Sequence, residues 1–130
     1  MKNQLDIGLL LLRITFGSLM LINHGWGKMM NLFGDDPIKF ADPIGIGETA
    51  SLTLAVFAEV LCAALIAVGF LTRWATIPLI ITMLVAIFIV HISDPFKKME
   101  MAILYLIPYV VIWINGAGKY SIDALLKKNA

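Results

Sequence analysis

The stretch Thr49–Leu71 reads TASLTLAVFAEVLCAALIAVGFL, apolar throughout except for three small hydroxyl residues near its start and one ionisable group, Glu59. A helix rises 1.5 Å per residue, so about 20 such residues cross a hydrocarbon layer of about 30 Å. Three more segments have the same character, and the expected spans are Leu5–Asn23, Thr49–Leu71, Trp74–Ile92 and Met99–Asn115. The expected fold class is therefore all-α, a four-transmembrane-helix bundle forming one domain over residues 1–130. Composition agrees. The chain has 130 residues, 60% hydrophobic and 15% charged, against about 45–50% and about 25% in ordinary globular proteins. A water-soluble domain this short could not hide that much apolar side chain.

Other classes are excluded by what is scarce. A net charge of +1 leaves no electrostatic footprint for nucleic acid. Cys62 is the one cysteine, which excludes a disulfide scaffold and an intrachain thiol–disulfide relay. The first span carries Arg13 and has no Ala-x-Ala-like cleavage site, so it is expected to be retained as a membrane helix.

Breakers punctuate the spans. His24-Gly25-Trp26-Gly27 interrupts the first or bends its extension, Gly69 with Thr72-Arg73 makes a hairpin turn, Ser93-Asp94-Pro95 ends the third, and Asn115-Gly116-Ala117-Gly118 ends the fourth. The long connection from Gly25 to Glu48 begins with an amphipathic run, Lys28–Phe33, suited to an interfacial helical extension. It continues through Asp36-Pro37, Asp42-Pro43 and Ile44-Gly45-Ile46-Gly47, a turn-rich and partly apolar stretch expected to be interfacial or re-entrant and to cap the bundle. Four spans put both termini on one side. Lys2, Arg73, Lys119, Lys127 and Lys128 lie there, against Lys28, Lys39, Lys97 and Lys98 on the other, a bias that favours cytoplasmic termini.

Ionisable groups inside spans carry the functional signal, because one at the bilayer centre costs about 2.5–3.5 kcal/mol even on lenient insertion scales. Glu59 stands mid-span, flanked at helical spacing by Ala55, Cys62 and Ala63, a small-residue face suited to close packing and expected to point inward. Arg13 is its expected partner. Arg13, Gly17, Met20, His24 and Lys28 recur at intervals of three and four and form one stripe. Glu100, at the outer start of the fourth span, and Tyr105, one turn deeper, are expected to complete a polar mouth. Arg13, His24, Lys28, Glu59, Glu100 and Tyr105 are thus the candidate ligand-binding or proton-handling residues. An Arg13–Glu59 pair that merely orders the bundle is the competing reading. The acids Asp35, Asp36, Asp42 and Glu48 lack ligand spacing, so no metal site is expected.

Arg13 with Gly17, the His24-Gly25-Trp26-Gly27-Lys28 corner, Ala58-Glu59, Gly69-Phe70-Leu71-Thr72-Arg73, Glu100 and Gly116-Ala117-Gly118-Lys119-Tyr120-Ser121-Ile122-Asp123 stand in an order that resembles the DoxX family of small four-helix membrane proteins. The resemblance spans nearly the whole chain. It implies a protein of the bacterial cytoplasmic (inner) membrane associated with oxidoreductase complexes and quinone-linked chemistry, without implying that the chain is itself an enzyme. No cysteine pair, bis-histidine haem site or nucleotide loop is evident. The expected function is a subunit or accessory of a membrane oxidoreductase assembly whose interior polar line binds quinone or a similar amphipathic molecule. The expected partners are lipid, redox subunits and further copies of the chain. A non-catalytic membrane interaction or scaffold protein is the alternative, and a small-solute or proton transporter a third, although no inverted repeat joins the two halves.

Overall fold

The computed structural model describes residues 2–129. The side chains of Lys2 and Lys128, two of the charges counted on the terminal side, lie outside the described residues. Four apolar helices of membrane-spanning length form: α1 (Asn3–Leu32), α2 (Glu48–Val68), α3 (Thr72–Val90) and α4 (Phe96–Asn115). A short amphipathic helix, α5 (Ile122–Asn129), follows. Among the described residues there is no strand. The four long helices pack in a ring, with α1 on α2, α2 on α3, α3 on α4 and α4 back on α1. Side chains such as Leu11, Ile22, Phe88, Leu104 and Ile114 point outward, the arrangement expected when lipid, not water, surrounds the bundle.

The spans differ from the expected boundaries chiefly in α1. His24-Gly25-Trp26-Gly27 does not break the helix: the chain takes one widened, π-type turn at Leu21–Gly25 and runs on as α-helix to Leu32. Two interior glycines lower helix propensity by about 1 kcal/mol each, but one of them permits a close crossing. A β-carbon on Gly25 would strike the Glu59 carbonyl carbon at 2.7 Å and Val60 Cγ2 at 2.9 Å. Gly17 meets α2 in the same way, 2.7 Å from the Ala63 carbonyl oxygen. α2 carries its own π-type turn at Phe57–Cys62, directly against that of α1, and such bulges recur at functional sites.

These approaches predict an asymmetric alanine series. Gly17→Ala and Gly25→Ala should each destabilise the bundle by about 1–3 kcal/mol, the usual cost of overpacking, because backbone atoms cannot step aside. Gly27→Ala meets open space and should be neutral or slightly stabilising. Unfolding titrations in mixed micelles would rank the three, and equal effects would contradict the close crossing.

At the terminal side the helix ends are tied together by side chains. Arg73 Nε and Nη2 donate to the carbonyls of Trp113 (3.2 Å) and Ile114 (3.3 Å), ending α4. Asp123 accepts from the Leu71 and Thr72 amides at 2.8 and 3.0 Å, capping α3, while its own amide donates to the Gly69 carbonyl. Asp6 of α1 accepts from the Lys119 amide at 3.1 Å. The Arg73 and Asp123 contacts satisfy backbone groups that helix ends leave without partners, and Asp6 ties the connection after α4 to α1.

Candidate functional site

The two deep charges do not meet. α1 and α2 run antiparallel, so Gly17 lies beside Ala63 and Ala67, and Gly25 beside Glu59 and Val60. Arg13 therefore stands opposite the end of α2, not its middle. Helical side chains also lean toward the N-terminus of their own helix, which carries the Arg13 guanidinium away from Glu59. Arg13 is 1% exposed and donates from Nη1 to the carbonyls of Ile66 (3.5 Å) and Ala67 (3.3 Å), and from Nη2 through a short bond to the Tyr120 carbonyl. Gly69, at φ +77°, leaves room for it, since a β-carbon there would sit 2.5 Å from Nη1. The expected Arg13–Glu59 pair is thus replaced by a structural clamp on the terminal side.

The same tilt brings Lys28 back into the membrane. Its Nζ lies 2.7 Å from Glu59 Oε1 and 2.8 Å from Oε2, a two-pronged ion pair. Glu59 is 2% exposed and Lys28 about one-third exposed, so the cation joins the buried carboxylate to the side opposite the termini. The stripe of Arg13, Gly17, Met20, His24 and Lys28 does face the bundle. It serves two separate centres.

An apolar cavity of about 380 Å³ adjoins the Lys28–Glu59 pair, walled by Leu54 and Ala55 of α2 and by Ile81, Val85, Ala86 and Val90 of α3. The connection between α1 and α2 roofs it with Phe40, Pro43, Ile44 and Ile46, and the Phe40 ring lies 5.8 Å from Lys28 Nζ. His91 stands at the rim; its Nδ1 lies 2.8 Å from Asp94 Oδ2.

Asp42 holds the roof in place. Its carboxylate accepts from the Ile46 and Gly47 amides and the Ser51 hydroxyl, all at 2.9 Å. The Gly47 amide bond foremost, then the Ser51 hydroxyl, pulls its pKa below the usual carboxylate value. A depressed native pKa means that the latch is whole above the unfolded-state value and is lost as pH falls through the lowered one. Proteolysis within residues 36–46 should therefore rise as the medium is acidified through that range, and Asp42→Ala should reproduce the effect at neutral pH.

The remaining candidates separate. His24 packs edge-on against Tyr105, with centroids 5.3 Å apart. Tyr105 is buried against Phe16 and Tyr109, and Tyr109 donates to the Phe16 carbonyl at 3.0 Å. This aromatic layer lies behind the ion pair and does not line the cavity. Glu100 is exposed and outside the cavity, so the expected mouth closes without it. Sequence reasoning missed Asp42, whose partners are amides four and five residues on; the signal was the Asp-Pro-x-Gly-x-Gly turn pattern.

The DoxX family model matches residues 8–92, which includes Arg13, Lys28, Glu59 and the hairpin at Gly69. The chain belongs to the DoxX family. No curated protein and no solved structure matches it. Within this DoxX protein the matched region carries both the clamp at Arg13 and the ion pair beside the cavity. Glu100 and the Gly116–Asp123 segment lie beyond it.

Proposed function

We propose that this DoxX-family membrane protein binds a quinone or similar amphipathic molecule beside the Lys28–Glu59 pair, as a subunit or accessory of an oxidoreductase assembly in a bacterial cytoplasmic membrane with both termini cytoplasmic. The observation that carries the reading is a buried carboxylate bound two-pronged by a lysine at the edge of a mainly apolar cavity. An isolated charge at that depth is expensive. A structural pair needs no cavity beside it, whereas a ligand with a polar head and apolar body needs both parts.

The division of labour follows from the donors present. Lys28 Nζ has three N–H groups, two of them committed to Glu59, and the third is free to donate to a quinone oxygen. In this reading Glu59 relays to the quinone the two protons, taken up one after the other from the outer aqueous side, that accompany the two electrons supplied by a partner subunit or diffusible donor, giving quinol. His24 and Tyr105 support the wall behind the pair.

Titrating the purified protein with a quinone analogue tests this. Glu59→Gln should weaken binding tenfold or more, while His24→Ala, which does not line the cavity, should change it less than threefold. Unchanged binding in Glu59→Gln would remove the pair from the site and leave the structural reading of it.

A further inference from the structure

The cavity is not sealed on its membrane side. Residues Glu48–Val56 of α2 pack on Trp26–Leu32 of α1, while α3 meets α2 mainly from Phe57 onward. Joined at Gly69–Leu71, α2 and α3 therefore part toward the outer side, and the cavity fills the wedge. Leu54 and Ile81 stand on its two lips, at 53% and 55% exposure. Leu54 lies six residues into α2 and Ile81 nine before the end of α3, on the order of 9 and 14 Å below the helix ends. At that depth the exposed side chains face hydrocarbon.

We propose that the wedge between Leu54 and Ile81 is a lateral portal, and that the ligand is an amphiphile with one hydrocarbon chain, reaching the site from the bilayer and leaving its chain in the gap. The inference rests on the binding reading above and specifies its ligand. Polar groups along the walls support it by being spent: the Ser51 hydroxyl donates to Asp42 and the Thr82 hydroxyl to the Pro78 carbonyl at 2.7 Å. Between the ion pair and His91 at the rim, the side chains of the α2 and α3 walls offer hydrocarbon contact and no free donor. A compact polar solute would lose hydrogen bonds there without replacement, whereas a prenyl or acyl chain loses none. Leu54 and Ile81 then set the width of chain admitted.

The test places a benzophenone amino acid at Leu54, at Ile81, or at the lipid-facing Leu104 of α4 as control, in full-length protein in nanodiscs. The probes are a prenyl-tailed quinone, its tail-less head group, and a single-chain fatty acid; binding is followed separately by protein fluorescence. The portal predicts saturable crosslinking of the tailed quinone at Leu54 and Ile81, at least tenfold above Leu104, competed by the tail-less head and lost in Glu59→Gln. Tailed-quinone binding without saturable crosslinking at either lip would overturn the portal and leave the binding site standing. Crosslinking by the fatty acid alone would uphold the portal and overturn quinone as the head group. No saturable binding of any probe would overturn both.

Discussion

Replacing Lys28 with methionine should destabilise the protein by about 3 kcal/mol, near the low end for breaking a buried ion pair, because one partner of the pair is one-third exposed and so partly solvated. Glu59→Gln should cost less, about 1 kcal/mol, the scale of a lost hydrogen bond, since Lys28 is one-third exposed and its long stem lets the ammonium withdraw to water. The double variant should be more stable than Lys28→Met alone, because no unpaired charge is then left beside the cavity. Unfolding in mixed micelles gives all three values and the coupling between them. Equal single-variant costs with no coupling would mean that the pair is not formed.

Arg13 should behave differently. Its guanidinium serves three carbonyls from two elements, Ile66 and Ala67 at the end of α2 and Tyr120 beyond α4; the Ile66 carbonyl keeps the Gly69 amide at 3.1 Å, so Arg13→Met leaves the Ala67 and Tyr120 carbonyls without a donor. A loss of about 3 kcal/mol or more is expected, at about 1–3 kcal/mol for each buried group left unsatisfied. Arg13→Lys should recover only part of it, because one ammonium on a flexible stem cannot reproduce the planar fork. Residues 117–129 should become sensitive to protease in both variants, as they should in Asp123→Ala, which uncaps α3 at the same end. Ligand affinity should stay within threefold of wild type in Arg13→Lys. A binding defect as large as that of Glu59→Gln would contradict the separation of the two centres.

That separation marks where sequence reading stops. Four spans could be read because lipid demands about 20 apolar residues in a row, a signal that local packing cannot disguise. The stripe from Arg13 to Lys28 could be read too, because helical periodicity reports which residues share a face. Periodicity says nothing about the depth of the neighbour on the facing helix, which is why Arg13, and not Lys28, looked like the partner of Glu59. The tilt of helical side chains toward their N-terminus decides the matter: it carries Arg13 toward the terminal side and Lys28 toward the membrane centre. The Gly25 corner looked like a break because glycine weakens helices, whereas here it lets α1 touch the Glu59 carbonyl. Gly69-Phe70-Leu71-Thr72-Arg73 and Gly116–Asp123 stood out as motifs before their work was visible. They assemble the terminal clamp through Arg13, Arg73 and Asp123, at the end of the bundle away from the Lys28–Glu59 pair.

The most direct measurement is native mass spectrometry of the protein extracted gently from its own membrane, with Glu59→Gln prepared in parallel. A ligand with a quinone head and one hydrocarbon chain should be retained by the wild type, one per chain, and be absent from the variant. Wild-type protein carrying only bulk lipid, or a quinone retained equally by Glu59→Gln, would contradict the account.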